Sequence, residues 1–393
     1  MAPPLPSDTL DLSRFDREGF ARELDALHAR LRAGIGEADR QHLRKMKRWS
    51  LALSALGLAT GALLPNPLSA LALAVGNVTR WGCWAHHVSH GGLDAVPGVK
   101  EGETSRGFAR GWRRWVDWMD WIHPEAWHHE HDFLHHSRTG DPGDPDVTEL
   151  NVRLMRESNW PRPLKWLVIA FFACTWKLTY YGPNTWHLLQ RERRKRAGQA
   201  LAPEPREAYG WTLLPVWKEG LSFWWRCALP YVAFRFVALP ALLLPLGAWA
   251  AANACLTLLA AELLANAWAF FIIVPNHSGD DLYRFEDKAK DKGEYYLRQV
   301  VGSTNYACGT DGLDFLQAFL NYQVEHHLWP RLPPLKLREA QPQVKALCAK
   351  YGIPYTQESV HRRAARLVQL LLGDASMRVA RCSEILDAPR AAG

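Results

Sequence analysis

The sequence contains few cysteines and no pattern among them. The 393 residues include seven: Cys83, Cys174, Cys227, Cys255, Cys308, Cys348 and Cys382. No two of them form a C-x-x-C pair and their number is odd, so we expect neither a disulfide framework nor a cysteine zinc site. The first 30 residues carry Asp, Glu and Arg throughout, which excludes the apolar segment of a secretory signal peptide. We therefore expect reduced thiols and an N-terminus that stays in the cytoplasm.

The chain also lacks the composition of a disordered or fibrous protein. Hydrophobic residues make up 48% and charged residues 22%, with a net charge of +7. Mean hydropathy over the whole chain is only −0.23, because the apolar residues are concentrated in a few runs. These runs cover 50–84, broken by Pro65-Asn66-Pro67, and then 228–246 and 249–274. A helix needs about 20 apolar residues to cross a hydrocarbon core of ~30 Å, so the runs predict membrane spans.

Basic clusters predict the topology. The clusters at 40–48 and 191–196 should both face the cytoplasm, so an even number of spans separates them. The apolar part of 163–182, between Lys165 and Lys177, is too short to cross and is expected at the interface. We predict an all-α integral membrane fold with four spans in two hairpins, at about 50–64, 67–84, 228–246 and 249–274. Both termini and a helical cap formed by 85–227 and 275–393 are then cytoplasmic.

This topology divides the chain into three parts. Residues 1–48 form a cytoplasmic segment whose amphipathic helix, over 14–33, packs on the core or lies on the bilayer surface. Residues 49–355 form the membrane domain, and 356–393 a cytoplasmic C-terminal helix and tail. Within the second hairpin, Arg235 and Glu262 fall at the same depth, so we predict that they form a buried ion pair.

Histidine is abundant and clustered. Eleven of the sixteen histidines lie in 86–90 (HHVSH), 123–136 (HPEAWHHEHDFLHH) and 326–327, and His277 follows the last predicted span. Spacings of three to five residues place several imidazoles on one helical face. Eight of these histidines are candidate ligands: His86, His90, His131, His135, His136, His277, His326 and His327. One tetrahedral ion takes about four ligands, so eight candidates predict two metal ions. Iron, copper, zinc and nickel all accept such ligands, so their type alone leaves the metal open.

Other polar residues near these histidines are candidates to support the ligands. Ligating imidazoles usually donate their second N–H to a carboxylate. Asp132, Asp144, Asp146 and Asp280, with Asp281 and Glu325, lie close enough in sequence, although helix capping is the alternative role for each. Gln323 precedes His326 and His327 at the same helical spacing but is a weaker ligand than imidazole. We therefore predict that His277 completes the ligand set, oriented by Asp280 and Asp281.

These motifs together resemble a known family. HHVSH, EHDFLHH followed by Asp144-Pro145-Asp146, and NYQVEHHLWPRLP resemble the three histidine boxes of membrane fatty acid desaturases, and PNHSGDDLY resembles their fourth histidine segment. The resemblance implies that the eight histidines bind two irons. Gln323 stands where many members have His, a variant typical of front-end and some acyl-lipid desaturases. No His-Pro-Gly-Gly haem motif occurs, so we do not expect the fused cytochrome of many front-end members, and regioselectivity is not carried over.

The function implied is an O₂-dependent fatty acyl desaturase of a bacterial cell membrane. The substrate is an acyl chain on a lipid, coenzyme A or carrier protein, and electrons come from an external ferredoxin or cytochrome. No catalytic residue separate from the metal centre and no nucleic acid partner are expected. An acyl-chain hydroxylase or acetylenase uses the same oxidant and remains an alternative. A histidine-rich membrane metal transporter is the alternative from another class, although transporters place ligands near mid-membrane.

Overall fold

The computed structural model describes residues 15–201, 213–216 and 218–380. Predictions for the ends of the N-terminal segment and C-terminal tail therefore lie partly outside the described residues. The principal helices are α1 (Arg17–Ala33), α2 (Glu37–Leu63), α3 (Pro67–Thr79), α4 (Arg162–Trp176), α5 (Gly182–Arg196), α6 (Lys218–Leu246), α7 (Ala248–Ile273), α8 (Lys292–Val301), α9 (Gln323–Leu328), α10 (Pro334–Lys350) and α11 (Val360–Leu372). Two short strands, β1 (Tyr283–Phe285) and β2 (Arg378–Ala380), pair in parallel.

Shorter helical segments connect these elements. The α-helical ones are His87–Ser89, Arg114–Asp117, Pro124–Trp127, Thr148–Asn151, Arg153–Glu157 and Asp311–Leu316. Among the described residues five segments are π-helical: Arg80–His86, His128–His135, Lys177–Tyr181, and Trp224–Ala228 and Ala233–Ala238 within α6. The segment Lys177–Tyr181 joins α4 directly to α5, and Arg80–His86 directly extends α3. The predicted all-helical architecture is therefore confirmed, apart from the small sheet that joins the segment after His277 to the C-terminal region.

Helix α1 packs against the protein. Its apolar stripe of Phe20, Leu24, Leu27 and Leu31 is buried, and α1 contacts α8 and α10. Of the two positions that the sequence left open for this helix, the structure shows packing on the core.

The first hairpin has the predicted turn. Helix α2 ends at Leu63 and α3 begins at Pro67, with the Asn66 side chain accepting a hydrogen bond from the Ser69 amide at 2.8 Å. Both helices pack along α7, which also contacts α4. Helix α7 therefore lies at the centre of the helical bundle.

Two helices of the described chain, α6 and α7 with its extension to His277, are long and apolar enough to cross a membrane. The first hairpin does not meet the same criterion. The first half of α2 is the basic segment, and α3 reaches Arg80 and the first histidines soon after its apolar start. Four apolar helices in two hairpins are present, but only the second pair has the length and hydropathy of independent spans.

The predicted ion pair inside the second hairpin is confirmed. Arg235 Nε lies 3.8 Å from Glu262 Oε2, and both residues are buried. Glu262 also accepts hydrogen bonds from Trp121 Nε1 at 2.8 Å and from the Tyr231 hydroxyl at 2.7 Å. The carboxylate is therefore held chiefly by neutral donors, and Arg235 is a more distant partner.

Candidate metal centre

Two π-helical segments carry three of the eight candidate ligands. Arg80–His86 ends on the first of them, and His128–His135 contains two more. In the second segment the His136 amide bonds to the His131 carbonyl at 3.0 Å, five residues back. This wider turn places residues 131, 135 and 136 on one side, because i→i+5 bonds bring residues five apart into line. In this segment the spacing that the sequence analysis assigned to a helical face is thus produced by a π-helix.

The structure brings all eight predicted histidines together in two adjacent groups. Site A contains five imidazoles and site B three, and within each site the potential ligand atoms all lie within 4.8 Å of one another. Site A consists of His86, His90, His131, His136 and His326, and site B of His135, His277 and His327. In site A, Nε2 of His86 and Nε2 of His136 each lie 3.2 Å from Nε2 of His131. The sites adjoin through the stacked rings of His136 and His327, whose centroids are 4.2 Å apart.

Carboxylates pair with two of the rings. Asp132 Oδ1 lies 2.8 Å from His90 Nδ1, and Asp132 also pairs with His128. Asp144 Oδ1 lies 2.9 Å from His135 Nδ1, while Asp146 is 3.9 Å from the same nitrogen. These contacts occupy Nδ1 and leave Nε2 as the free ligand atom, the usual arrangement around metal-binding histidines.

The predictions for Asp280, Asp281 and Glu325 are wrong. His277 Nδ1 bonds to the Gly302 carbonyl at 3.0 Å. Asp280 instead pairs with Arg366, and Asp281 accepts from the buried Arg363 at 2.6 Å. Glu325 accepts from Asn305 at 2.7 Å and from Tyr355 at 2.6 Å. Residues more distant along the chain, on α11 and in 302–305, form the ion pairs and hydrogen bonds of these side chains. Closeness in sequence to a histidine therefore does not identify its partner.

Gln323 lies where the sequence placed it. Its Nε2 is 3.0 Å from His277 Nε2, so the amide contacts site B on the side of His277. His87 is fully buried, and its ring centroid is 5.6 Å from that of His326. Among the described residues neither His87 nor His129 belongs to a potential ligand group, and His128 is held by Asp132.

Sequence reasoning missed three supporting residues. Thr139 Oγ1 and Gln299 Oε1 each lie 3.0 Å from Nδ1 of His327. Glu130, inside the second histidine segment, is fully buried and accepts a hydrogen bond from the Tyr181 hydroxyl at 3.1 Å. Burial and the nearby Asp146 hold the pKa of Glu130 well above its ordinary value. Only Glu130 carried a signal, as an acid within a histidine motif, whereas Gln299 lies on a distant helix.

The residues fit two metal ions. Burial, reinforced by neighbouring imidazoles, lowers the pKa of His131, His136, His326 and His327 well below the ordinary value, which keeps these rings neutral. Burial opposes charge on His135 too, but Asp144 outweighs it and raises the pKa of that ring. Nε2 of His90 and of His327 and both nitrogens of His326 are buried and hydrogen-bond to no described residue. Neutral imidazoles with inward nitrogens lacking partners are what metal binding requires.

An apolar cavity of about 160 Å³ adjoins both sites. Its walls include Trp81, Phe172, Trp176, Phe270 and Leu371, and the polar residues lining it include His86, His131, His135, His277 and Gln323. An apolar cavity of about 150 Å³ is large enough to bind a molecule the size of benzene. The cavity can therefore hold a short stretch of hydrocarbon against the imidazoles.

Comparison with known proteins agrees with this geometry. A sequence model of the family "Fatty acid desaturase" matches residues 61–359. The chain is 27% identical over 361 residues to NADPH-dependent stearoyl-CoA 9-desaturase of Mycobacterium tuberculosis, covering 88% of this chain and 77% of the relative. It is 25% identical over 296 residues to fatty acid desaturase 3 of Bos taurus, covering 74% and 58%. A shorter match, 36% over 80 residues, links 20% of the chain to 17% of Delta(8)-fatty-acid desaturase 2 of Arabidopsis thaliana.

Proposed function

The chain belongs to the fatty acid desaturase family, and on that premise we propose that it inserts a double bond into an acyl chain, using O₂ and a di-iron centre held by sites A and B. The observation that carries this proposal is the contact between eight buried imidazoles and an apolar cavity. Two irons held there would supply the O₂-derived oxidant that an unactivated C–H bond requires. Family membership argues against the metal-transport alternative.

The protein residues have separate tasks in this reaction. The aromatic walls of the cavity bind the acyl chain and exclude water, while the imidazoles hold the metals. Asp132 and Asp144 fix the rings of His90 and His135, and Gln299 with Thr139 fixes that of His327. Position along the cavity determines which methylenes meet the metals, because a reacting carbon must be held within a few ångströms of its oxidant.

We propose a four-span topology in which the first hairpin crosses beside the second. Asn253, near the start of α7, donates to the Leu63 carbonyl at 3.3 Å, so the turn after α2 lies level with the turn before α7. The other ends of α3 and α7 lead to His86 and His277, which line the same apolar cavity. The exposed side chains of Leu51, Leu56, Leu68 and Leu71 give the hairpin an apolar outer surface. The packing of the first hairpin along α7 thus supports the proposal that this hairpin crosses the membrane, which its hydropathy alone does not indicate.

The reaction needs two electrons besides those of the substrate. Forming one double bond removes two hydrogens from the acyl chain, and reducing O₂ to two waters takes two further electrons and two protons. We expect an external ferredoxin or cytochrome to deliver them. The purified protein with O₂ and NAD(P)H alone should then be inactive, and adding such a carrier with its reductase should restore turnover. Activity without a carrier would contradict this expectation.

Expression in a bacterial host of known lipid content tests the function. We expect new double bonds, located by mass spectrometry of the host lipids, and two irons per purified chain. His326→Ala should abolish both results, whereas His361→Ala, an exposed histidine outside the two sites, should change neither. Hydroxylated or acetylenic products would instead support the alternative reactions of this superfamily. Purified enzyme given the same acyl group on coenzyme A, on carrier protein and in phospholipid identifies the carrier.

A further inference from the structure

A second, polar cleft adjoins the metal centre. It is formed by segments 137–141 and 288–299, has a volume of about 530 Å³, and is called the basic cleft here. The basic cleft and the apolar cavity have no lining residue in common. A molecule bound in the basic cleft therefore approaches the metal centre from a different direction than the acyl chain does.

The floor of the basic cleft supports the candidate ligands directly. Gln299 and Thr139 line the cleft and contact Nδ1 of His327, each at 3.0 Å. Tyr295 also lines it, and its hydroxyl donates to the His136 carbonyl at 3.2 Å. One layer of side chains thus separates the cleft from a site B ligand, and one hydrogen bond leads to the backbone of a site A ligand. This is a short path for an electron.

The lining of the basic cleft is positively charged. Five cations line it, Arg138, Lys288, Lys290, Lys292 and Arg298, against two carboxylates, Asp141 and Asp291. Arg298 pairs with Glu294 at 2.6 Å and Lys292 with Asp25 at 2.6 Å.

The remaining charges of the cleft favour an anionic partner. Asp291 is engaged by Arg17 and caps α8 through the Glu294 amide. Arg138 and Lys288 are exposed and form no ion pair with any described residue. An acidic protein surface would therefore be complementary in charge to the basic cleft.

We propose that the basic cleft is the docking surface for an acidic electron-carrier protein. This inference rests on the proposed function, which requires two electrons per double bond. A carrier with a one-electron centre docks twice in each turnover, and O₂ receives its other two electrons from the substrate C–H bonds. Complementary charge accelerates and orients such transient encounters. The acyl carrier is a less suitable occupant, since its chain would have to pass the imidazoles to reach the cavity.

Charge reversal tests the docking surface. The variant Arg138→Glu, Lys288→Glu, Lys290→Glu is compared with wild type in nanodiscs, using plant-type [2Fe–2S] ferredoxin reduced by NADPH and its reductase as one probe. Reduced cytochrome b5 is the second probe. We expect the variant to raise the KM for the carrier and weaken its direct binding by at least about tenfold, with loss of the salt dependence that wild type shows. Iron content and the KM for the acyl substrate should not change.

A matched control reverses three exposed cations elsewhere, Lys195→Glu, Lys345→Glu and Arg362→Glu. It should bind and use the carrier like wild type. Normal carrier kinetics in the cleft variant, or an equal loss in the control, would overturn the docking surface while leaving the desaturase function intact. A raised KM for the acyl substrate alone would assign the cleft to the acyl carrier. The proposal would also be overturned if the wild-type enzyme formed no double bonds with either acidic carrier but formed them with another reductant.

Discussion

At the scale of single residues, the hydrogen-bond partners of the imidazoles determine how well metal is held. We predict that Asp144→Asn lowers the apparent affinity for one of the two metals by about 10–100-fold, because the amide keeps the shape but loses the charge that orients His135. Iron retained after a graded chelator challenge measures this. Asp280→Asn is the control, since Asp280 pairs with Arg366 and contacts no ligand in the described structure. Equal losses in the two variants would contradict the assignment.

The sequence predicted which histidines the structure brings together, and it predicted the residues that contact them only in part. Asp144 was predictable because it lies one short loop after His135, whereas Asp132 pairs with His90 of a different histidine segment, which closeness in sequence does not indicate. The partner of His277 is a backbone carbonyl, at Gly302, which has no residue signature in a sequence. His327 is supported by Gln299, a residue of ordinary type on another helix. Such partners follow from the tertiary fold and not from local spacing.

The buried pair of Arg235 and Glu262 should respond asymmetrically to mutation. Glu262→Leu leaves the guanidinium buried without its carboxylate, and we expect a loss of about 3–5 kcal/mol in the free energy of unfolding. Arg235→Met should cost less, roughly 1–3 kcal/mol, because Trp121 and Tyr231 still donate to Glu262. Thermal unfolding in detergent compares the two variants. A larger loss for Arg235→Met would mean that the arginine, rather than the neutral donors, holds the carboxylate.

At the scale of helices, the amphipathic and apolar helices were predictable from the sequence, and the π-helical turns at the candidate ligands were not. The 3.6-residue pattern predicted α1, and the two prolines at 65 and 67 predicted the first turn. The π-helical turns at Arg80–His86 and His128–His135 have no such pattern, because an i→i+5 turn is stabilised by what the side chains bind and pack against. Their position at the candidate ligands agrees with the general occurrence of π-turns at functional sites.

Close packing of the first hairpin on α7 depends on a glycine. A Cβ built at Gly61 would lie 2.6 Å from Thr257 Cγ2, inside any normal contact. We predict that Gly61→Ala destabilises the protein by about 1–3 kcal/mol through overpacking. Ala59→Leu, on the exposed side of α2, is the control and should be nearly neutral. Adding Thr257→Ala should recover part of the loss, and a double variant no better than Gly61→Ala would place the strain elsewhere.

At the scale of the whole molecule, the apolar cavity and the basic cleft are separate, and both lead to the candidate metal centre. The apolar cavity lies among Trp81, Trp176 and Phe270, where helices that contact lipid can admit an acyl chain. The basic cleft lies among the polar loops that follow the second histidine segment and precede α8. If the histidine-bearing ends of all spans face the cytoplasm, the cleft opens to water where soluble carriers are found. Membrane topology is therefore a prerequisite for both proposals.

Our last prediction concerns that topology. In a variant without native cysteines, single cysteines at Ser137, Gln199 and Lys345 should react with an impermeant thiol reagent only after the cytoplasmic face is opened. Cysteines at Pro65 and Leu246, in the two hairpin turns, should react from the outside of intact cells, because Asn253 holds these turns level. Labelling of 137 and 199 on opposite sides would mean that α4 crosses the membrane. Labelling of 65 from the cytoplasm would instead mean that the first hairpin does not cross, which would leave α6 and α7 as the only spans among the described helices.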